Sequence, residues 1–300
     1  MSDDGREALV VIAFLGCVFS PRYVRARRRG HCDPLAYAAL NAAFHGPGSH
    51  RWAFTEYADA ATAHDAQQLR MGANRLSWND EVLHIEIDER EAPLPRALRA
   101  RIAVHPTTRS DLAWPLVGSG AHWWYPLIPR ARVSVDLRPN GPCWQGSGYL
   151  DCNRGTGALE GAFTGWQWLR AHGPTSTSVV YETEPAAHLA EHPARSLFLL
   201  SDGGTRIGLP PPARPLAPTR WGISRNVSCD DNQVPRLLRT LEDTPFYARS
   251  LVTTRLQGEQ LTAVHESLSL RRFQSGWVRS LLPFRMRRSR PDSRDNARNS

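Results

Sequence analysis

The stretch Arg132-Val133-Ser134-Val135-Asp136-Leu137 alternates polar and apolar residues without interruption. Because successive side chains of a β-strand point to opposite faces, this alternation predicts a strand that buries Val133, Val135 and Leu137. The same period of two returns in residues 52–57, 84–88 and 101–105, between clusters of Gly, Pro, Asn and Asp. Short alternating strands between turn residues predict an all-β fold of antiparallel sheet, closed as barrels or stacked as a sandwich.

A second series of strands begins near residues 166–168, and 300 residues suffice for about two domains. We therefore expect residues 1–165 to form an N-terminal β domain that carries the candidate site described below. Residues 166–284 form the C-terminal β domain, and residues 285–300 form a basic, disordered tail in this interpretation.

Few segments favour helices. Residues 34–44 predict one, with Asp33 as N-cap and Pro34 in the first turn. Residues 271–282 predict another, which ends at Pro283. Segments 250–256 and 260–270 flank a Gln-Gly-Glu turn and predict a β-hairpin.

The charge pattern argues against a nucleic-acid partner. The chain carries a net charge of +8, and all 37 basic residues are Arg. They cluster at residues 25–29 and 285–290, near the two ends, with no recognition motif beside them. A basic surface of this kind can instead lie on anionic lipid.

The cysteines and the apolar N-terminal run indicate the cellular compartment of the protein. The five cysteines have an odd count and no C-x-x-C spacing, so neither a disulfide framework nor a zinc site is indicated, and a reducing compartment fits best. Residues 8–19 are too few to span a bilayer and lack a basic region before them, so they predict a buried first strand. We expect a protein that is soluble or peripheral to a membrane.

Two further segments suggest chemistry: His122-Trp123-Trp124-Tyr125-Pro126 and the run of residues 146–155, Gly-Ser-Gly-Tyr-Leu-Asp-Cys-Asn-Arg-Gly. As strands, the first places His122 and Trp124 on one face, and the second does the same for Tyr149 and Asp151. If both faces turn inward, an acid, a phenol, an imidazole and an indole converge in an apolar place. Such a group can protonate an apolar molecule and stabilise the cation that results.

Each member of this group also has a purely structural interpretation. His122 can be a buried structural histidine, and Tyr149 can be the hydrogen-bond donor of Asp151. A metal site is not indicated, because these segments provide two ligands and no third ligand has supporting spacing. Four tryptophans are either core residues or candidates for substrate binding: Trp123, Trp144, Trp166 and Trp168.

Taken together, the ordered motifs resemble the carotenoid 1,2-hydratase family, also called the hydroxyneurosporene synthase family. The resemblance runs over nearly the whole chain. One departure precedes Leu159-Glu160, where the family pattern has an acidic residue and a proline and this chain has Gly157-Ala158. The matching stretches are residues 14–21, 27–30, 41, 46–48, 51–56, 122–126, 131–133, 144–153, 159–160, 166–168, 219–223, 239–250, 265–270 and 282–285.

The resemblance implies two tandem lipocalin-like antiparallel β-barrels with few short helices. It also implies that water adds to the terminal 1,2 double bond of an acyclic carotenoid such as neurosporene or lycopene, with no cofactor. The family's proposed catalytic residues fall on His122, Trp124, Tyr149 and Asp151.

From the chemistry, we expect Asp151 to be kept neutral by burial and to protonate C2. Trp124 and Tyr149 would stabilise the tertiary cation at C1, and His122 would orient the attacking water. Two alternatives stay open: a carrier of apolar ligands that performs no reaction, and a hydratase of another terpenoid.

A water-insoluble polyene must come from a membrane. We therefore expect a cytoplasmic protein that associates peripherally with the inner or intracytoplasmic membrane, through residues 25–29 or 281–288. The sequence leaves the oligomeric state open.

Overall fold

β-Strands dominate the structure, a computed structural model that describes residues 1–30, 32–58, 62–79, 81–138, 141–189 and 194–289. The strands of the first half are β1 (Ala8–Phe14), β2 (Ala39–Gly46), β3 (Ser49–Glu56), β4 (Thr62–His64), β5 (Gln68–Met71), β6 (Asn74–Asn79), β7 (Val82–Arg90), β8 (Ala97–Thr108), β9 (Trp114–Pro115), β10 (His122–Arg138) and β11 (Cys143–Gly155). Those of the second half are β12 (Phe163–His172), β13 (Thr177–Pro185), β14 (Ala194–Ser201), β15 (Gly204–Gly208), β16 (Ala213–Leu216), β17 (Arg225–Ser228), β18 (Arg236–Asp243), β19 (Tyr247–Leu256), β20 (Glu259–Ser269) and β21 (Arg287–Arg288).

Helices are few and short, as predicted. They are α1 (Pro21–Arg28), α2 (Leu159–Ala162), α3 (Leu270–Phe273) and α4 (Gly276–Arg285), with 3-10 turns at Pro34–Tyr37 and Ala187–Leu189. The helix predicted over residues 34–44 is wrong beyond its first turn, because residues from Ala39 onward form β2. Asp33 does cap this turn, since its carboxylate accepts a hydrogen bond from the Leu35 amide at 2.9 Å. The helix predicted over residues 271–282 is split between α3 and α4.

The chain forms two compact units, each built from separate stretches of sequence. Unit 1 contains residues 1–106, 131–148 and 280–300, and unit 2 contains residues 107–130 and 149–279, as far as the structure describes them. The long strands β10 and β11 each contribute residues to both units. This division differs from the predicted single boundary at residue 165, which assumed that each domain is one continuous stretch.

Unit 1 holds a sheet in the order β1-β2-β3-β21, in which β21 runs parallel to β3, and most of an eight-stranded sheet. The path of that larger sheet is β11-β10-β8-β7-β6-β5-β4, with β9 beside β10. The predicted strand at residues 132–137 lies within β10, and Val133, Val135 and Leu137 are buried as expected. Residues 285–289 of the predicted tail are ordered, as the end of α4 and the strand β21, while residues 290–300 lie outside the described residues.

Unit 2 holds a seven-stranded sheet in the order β15-β14-β13-β12-β20-β19-β18 and the small pair β16-β17. The predicted hairpin is present as β19 and β20, with Gln257 and Gly258 at positive φ in its turn. Side chains on one face of the seven-stranded sheet, among them Leu169, Val180 and Val252, form a buried aliphatic core.

The all-β prediction is confirmed, whereas the predicted closure of the sheets is not. In the part of the chain that the structure describes, the strand order of each sheet is an open path and not a closed ring. The other face of the seven-stranded sheet carries aromatic residues, and the candidate site lies there.

Candidate active site

The carboxyl group of Asp151 is the centre of the candidate site. Tyr149 and Asp151 alternate along β11 and therefore share one face of the strand. The Trp124 indole on β10 donates a hydrogen bond from Nε1 to Asp151 Oδ2 at 2.9 Å, and the Tyr149 hydroxyl donates to the same oxygen at 3.1 Å. The structure thus brings together three of the four predicted catalytic residues.

The two hydrogen bonds fix where the proton of a neutral Asp151 sits. Both donors reach Oδ2, so this oxygen acts as an acceptor and is the carbonyl oxygen of the protonated carboxyl. The acidic proton then belongs to Oδ1. Oδ1 is thus the oxygen of Asp151 from which a proton can be donated.

Aromatic rings surround the carboxyl. Trp124 has no solvent-exposed surface, and its ring centroid lies 4.8 Å from that of Phe198 and 5.6 Å from that of Tyr181. The Tyr149 ring lies 5.6 Å from that of Trp168. These spacings are typical of packed aromatic pairs, so further rings pack against the two that donate to Asp151.

The surroundings shift the protonation equilibrium of this acid toward its neutral form. Burial raises the pKa of Asp151 from its ordinary 3.8 to about 6, even though the hydrogen bonds from Trp124 and Tyr149 lower it. At pH 7 roughly a tenth of the molecules then carry the proton, against fewer than about one in a thousand for an ordinary aspartate. Burial also raises the pKa of Tyr149 well above its usual value, so that this phenol stays a neutral donor.

His122, the fourth predicted catalytic residue, lies on the same face of β10 as Trp124, two residues away. Its ring centroid is 5.3 Å from that of Phe163. The backbone of Gly155, at the end of β11, passes so close that a Cβ atom there would collide with the imidazole. The glycine at this position therefore makes room for His122.

The four candidate substrate-binding tryptophans lie in three different places. Trp166 and Trp168 belong to the aromatic cluster around Trp124. Trp123 alternates with Trp124 and points to the opposite face of β10, where its Nε1 donates to the Gly120 carbonyl at 2.6 Å. Trp144 belongs to unit 1, where it lines an open cavity of about 850 Å³.

Sequence reasoning missed several residues around the site, among them Tyr181 and Phe198 of the aromatic cluster and Arg170 beside Tyr149. Tyr181 is the register partner of Trp168, and Phe198 is the partner of Val179 on the next strand. The Arg170 guanidinium lies 5.2 Å from the centre of the Tyr149 ring, in cation–π contact. Residues 166–170 alternate, so their pattern as a strand places Arg170 on the same face as Trp168. The residues that Arg170 contacts on other strands depend on the strand register, which the sequence does not give.

A metal cluster is not formed by the described residues, among which no group of three or more His, Cys, Asp or Glu side chains could hold an ion. None of the described helices is long and apolar enough to cross a membrane.

The fold and site together define an all-β protein with a protonatable carboxyl set among aromatic rings, an arrangement suited to acid chemistry on an apolar molecule. Residues 11–294 match the family described as carotenoid hydratase CrtC, and the chain belongs to this family.

Curated relatives agree over most of the chain. It is 44% identical over 292 residues to the acyclic carotenoid 1,2-hydratase of Thiocapsa roseopersicina, covering 96% of this chain and 71% of the relative. It is 38% identical to the enzyme of the same name from Rubrivivax gelatinosus, with the same coverage.

Among solved structures, kievitone hydratase from Nectria haematococca is similar, with a TM-score of 0.56 at 11% identity, over 89% of this chain and 86% of that one. This likeness concerns the fold alone, and it bears out the predicted all-β, lipocalin-like class.

Proposed function

We propose that the protein adds water to the terminal 1,2 double bond of an acyclic carotenoid, such as neurosporene or lycopene, and forms a 1-hydroxy carotenoid. The observation that carries this proposal is the Asp151 carboxyl, whose pKa burial raises and whose Oδ2 accepts both hydrogen bonds. Membership of the carotenoid hydratase family and the names of the relatives supply the substrate class.

In the first step Asp151 transfers its Oδ1 proton to C2, which leaves a tertiary cation at C1. An isolated trisubstituted alkene is a weak base, so this step needs an acid held against it and protection for the cation. The π faces of Trp124 and Tyr149 stabilise the cation by about 1–2 kcal/mol each where water is excluded. The hydroxyl then forms on the more substituted carbon.

In the second step water attacks C1, and His122 accepts a proton from it. The position of His122 on the same strand face as Trp124 supports this role. His122 then releases this proton to solvent and Asp151 takes up a proton from solvent, so one alkene and one water give one alcohol with no net change in the protein.

The direct test is hydration of lycopene in ¹⁸O-labelled water. We expect the wild-type protein to give products heavier by one or two labelled waters, and Asp151→Asn to lose at least about 100-fold in turnover. Asp111→Asn serves as control, because Asp111 is an exposed aspartate of the same unit. Near-normal turnover by Asp151→Asn contradicts the acid role, and binding of lycopene without any change in mass favours the carrier alternative.

We also propose that the protein takes its substrate at a membrane surface through residues 281–288. Leu281 and Phe284 of α4 are 42% and 80% exposed, and Arg285 and Arg288 beside them are exposed as well. Apolar side chains flanked by cations suit an anionic lipid interface.

Flotation with vesicles tests this docking surface. We expect Phe284→Ser and Arg288→Gln to bind vesicles containing anionic lipid several-fold more weakly than the wild type. Leu209→Ser is the matched control, since Leu209 is 85% exposed and lies elsewhere on the chain. Unchanged binding of both test variants removes this segment from the role.

A further inference from the structure

Charged residues continue the aromatic face of the seven-stranded sheet. Register partners in neighbouring antiparallel strands point to the same face. Glu266 on β20 has two register partners, Arg249 on β19 and Trp168 on β12. Trp168 in turn is the register partner of Tyr181 on β13. One row of side chains therefore runs from an ion pair to the aromatic residues of the candidate site, and Trp168 lies against Tyr149.

Arg249 holds the acidic end of this row in place. Its side chain is 3% exposed, and its Nε lies 2.8 Å from Glu266 Oε1, while its Nη1 lies 3.0 Å from Glu242 Oε1. A buried guanidinium with two carboxylate partners holds both of them in place. Glu266 is thus a fixed negative charge one strand away from Trp168.

Arg170 supplies the opposing charge next to Tyr149, and its Nη1 lies 2.5 Å from His172 Nε2. On this face two arginines, Arg170 and Arg249, balance Glu242 and Glu266. When Asp151 is neutral, the charges of these two arginines and two glutamates sum to zero. An ionised Asp151 adds one uncompensated negative charge among the aromatic rings. The titratable and charged groups that act on Asp151 or share an interaction with it are Tyr149, Cys152, Arg170, Tyr181 and Glu266. Further along the site strands and this face lie His122, His172, Glu242, Tyr247 and Arg249.

We propose that Glu266, fixed by Arg249, is a positioning residue that keeps the proton on Asp151 against the pull of Arg170. This inference rests on the proposed function, in which Asp151 is the acid. It adds that the charge balance on the seven-stranded sheet sets the pH range over which the acid works.

The electrostatic contributions at the site agree with the geometry. Glu266 raises the pKa of Asp151 because its negative charge disfavours a second anion, and Arg170 lowers it because its positive charge favours the ionised form. Both act in addition to burial, which is the largest cause. Removal of either charge should therefore move the titration of Asp151, in opposite directions.

The experiment compares pH–rate profiles for lycopene hydration. Asp151 works only when protonated, so activity falls as pH rises through its pKa. In Glu266→Gln we expect this alkaline limb to move about one pH unit toward acid, and in Arg170→Gln to move by a similar amount toward alkali. The double variant should return toward the wild-type profile.

Glu182→Gln is the matched control. Glu182 is also ion-paired, with Arg195 at 2.8 Å, and lies on the same sheet, but it alternates with Tyr181 and points to the opposite face. The alkaline limb of the Glu182→Gln profile should stay at the wild-type pH. If Glu266→Gln and Glu182→Gln leave the limb equally unmoved, or if Glu266→Gln moves it toward alkali, the proposal is wrong. Should Glu266→Gln fail to fold, an alkaline shift in Arg170→Gln still supports the charge balance, and an unmoved limb there overturns it.

A measurement without substrate separates this inference from the proposed function. Infrared difference titration detects the carboxyl band of Asp151, identified by its loss in Asp151→Asn. We expect its midpoint to move toward acid in Glu266→Gln. If the wild type hydrates no carotenoid but the midpoint still moves, the proposed function fails and the charge balance stands. If hydration occurs and the midpoint is unmoved, only the charge balance fails.

Discussion

Replacement of Asp151 by Asn should make the protein more stable at neutral and alkaline pH while it removes activity. The structure gives the reason, because burial raises the pKa of this carboxyl from 3.8 to about 6. The folded state therefore binds the proton more tightly than the unfolded chain does. Stability from this group is fully present below pH 3.8 and is lost as pH rises through 6. Asparagine has a similar shape, stays neutral and escapes this loss.

The magnitude follows from the two pKa values. A difference of about two pH units corresponds to about 3 kcal/mol, the largest stability gain expected for Asp151→Asn at pH 8. Between pH 8 and pH 5 the wild type recovers about 1.4 kcal/mol of this amount as the carboxyl takes up its proton. The advantage of the variant should shrink by that amount over the same interval.

Urea unfolding followed by tryptophan fluorescence, at pH 8 and at pH 5, measures both free energies of unfolding. Other titrating groups are shared by the two proteins, so the difference between the proteins isolates Asp151. Asp111→Asn, at an exposed position, is the control for the removal of a carboxylate as such. A stability difference for Asp151→Asn that is the same at both pH values would refute the raised pKa and the argument built on it.

Two further substitutions test the surroundings of the acid. Trp124→Phe keeps an aromatic ring but removes the N–H that donates to Asp151, so we expect turnover to fall about tenfold and the alkaline limb to move toward higher pH, as a pH–rate profile can check. Gly155→Ala places a methyl group against the His122 imidazole, so we expect a large loss of hydration activity. The loss of thermal stability should be smaller than that caused by truncating a core side chain. Wild-type turnover in this variant would show that the close approach of Gly155 to His122 is unimportant.

The sequence predicted well where one face of a strand is buried and the other is not. The alternation at residues 132–137 identified β10 and its buried side chains, and the period of two placed Tyr149 and Asp151 together. It failed at β2, where all residues but the last are buried. A strand covered on both faces loses its alternation, so an alanine-rich stretch after Asp33-Pro34 looked like a helix.

The charge network lay beyond sequence reasoning for a different reason. The partnership of Trp168 with Glu266 joins residues almost a hundred positions apart, and it depends on the register of β12 against β20. A shift of one residue would turn Glu266 to the aliphatic face. Nothing local to either strand fixes that register. The division into units is equally hidden from local sequence, because β10 and β11 each contribute residues to both units.

The two donors on a single oxygen of Asp151 have a stereochemical consequence. If the proton always leaves from Oδ1 of a carboxyl held by Trp124 and Tyr149, a bound alkene receives it on one side only. In heavy water the methylene formed at C2 would then carry its deuterium in a single configuration, and the product would be chiral by virtue of isotope alone.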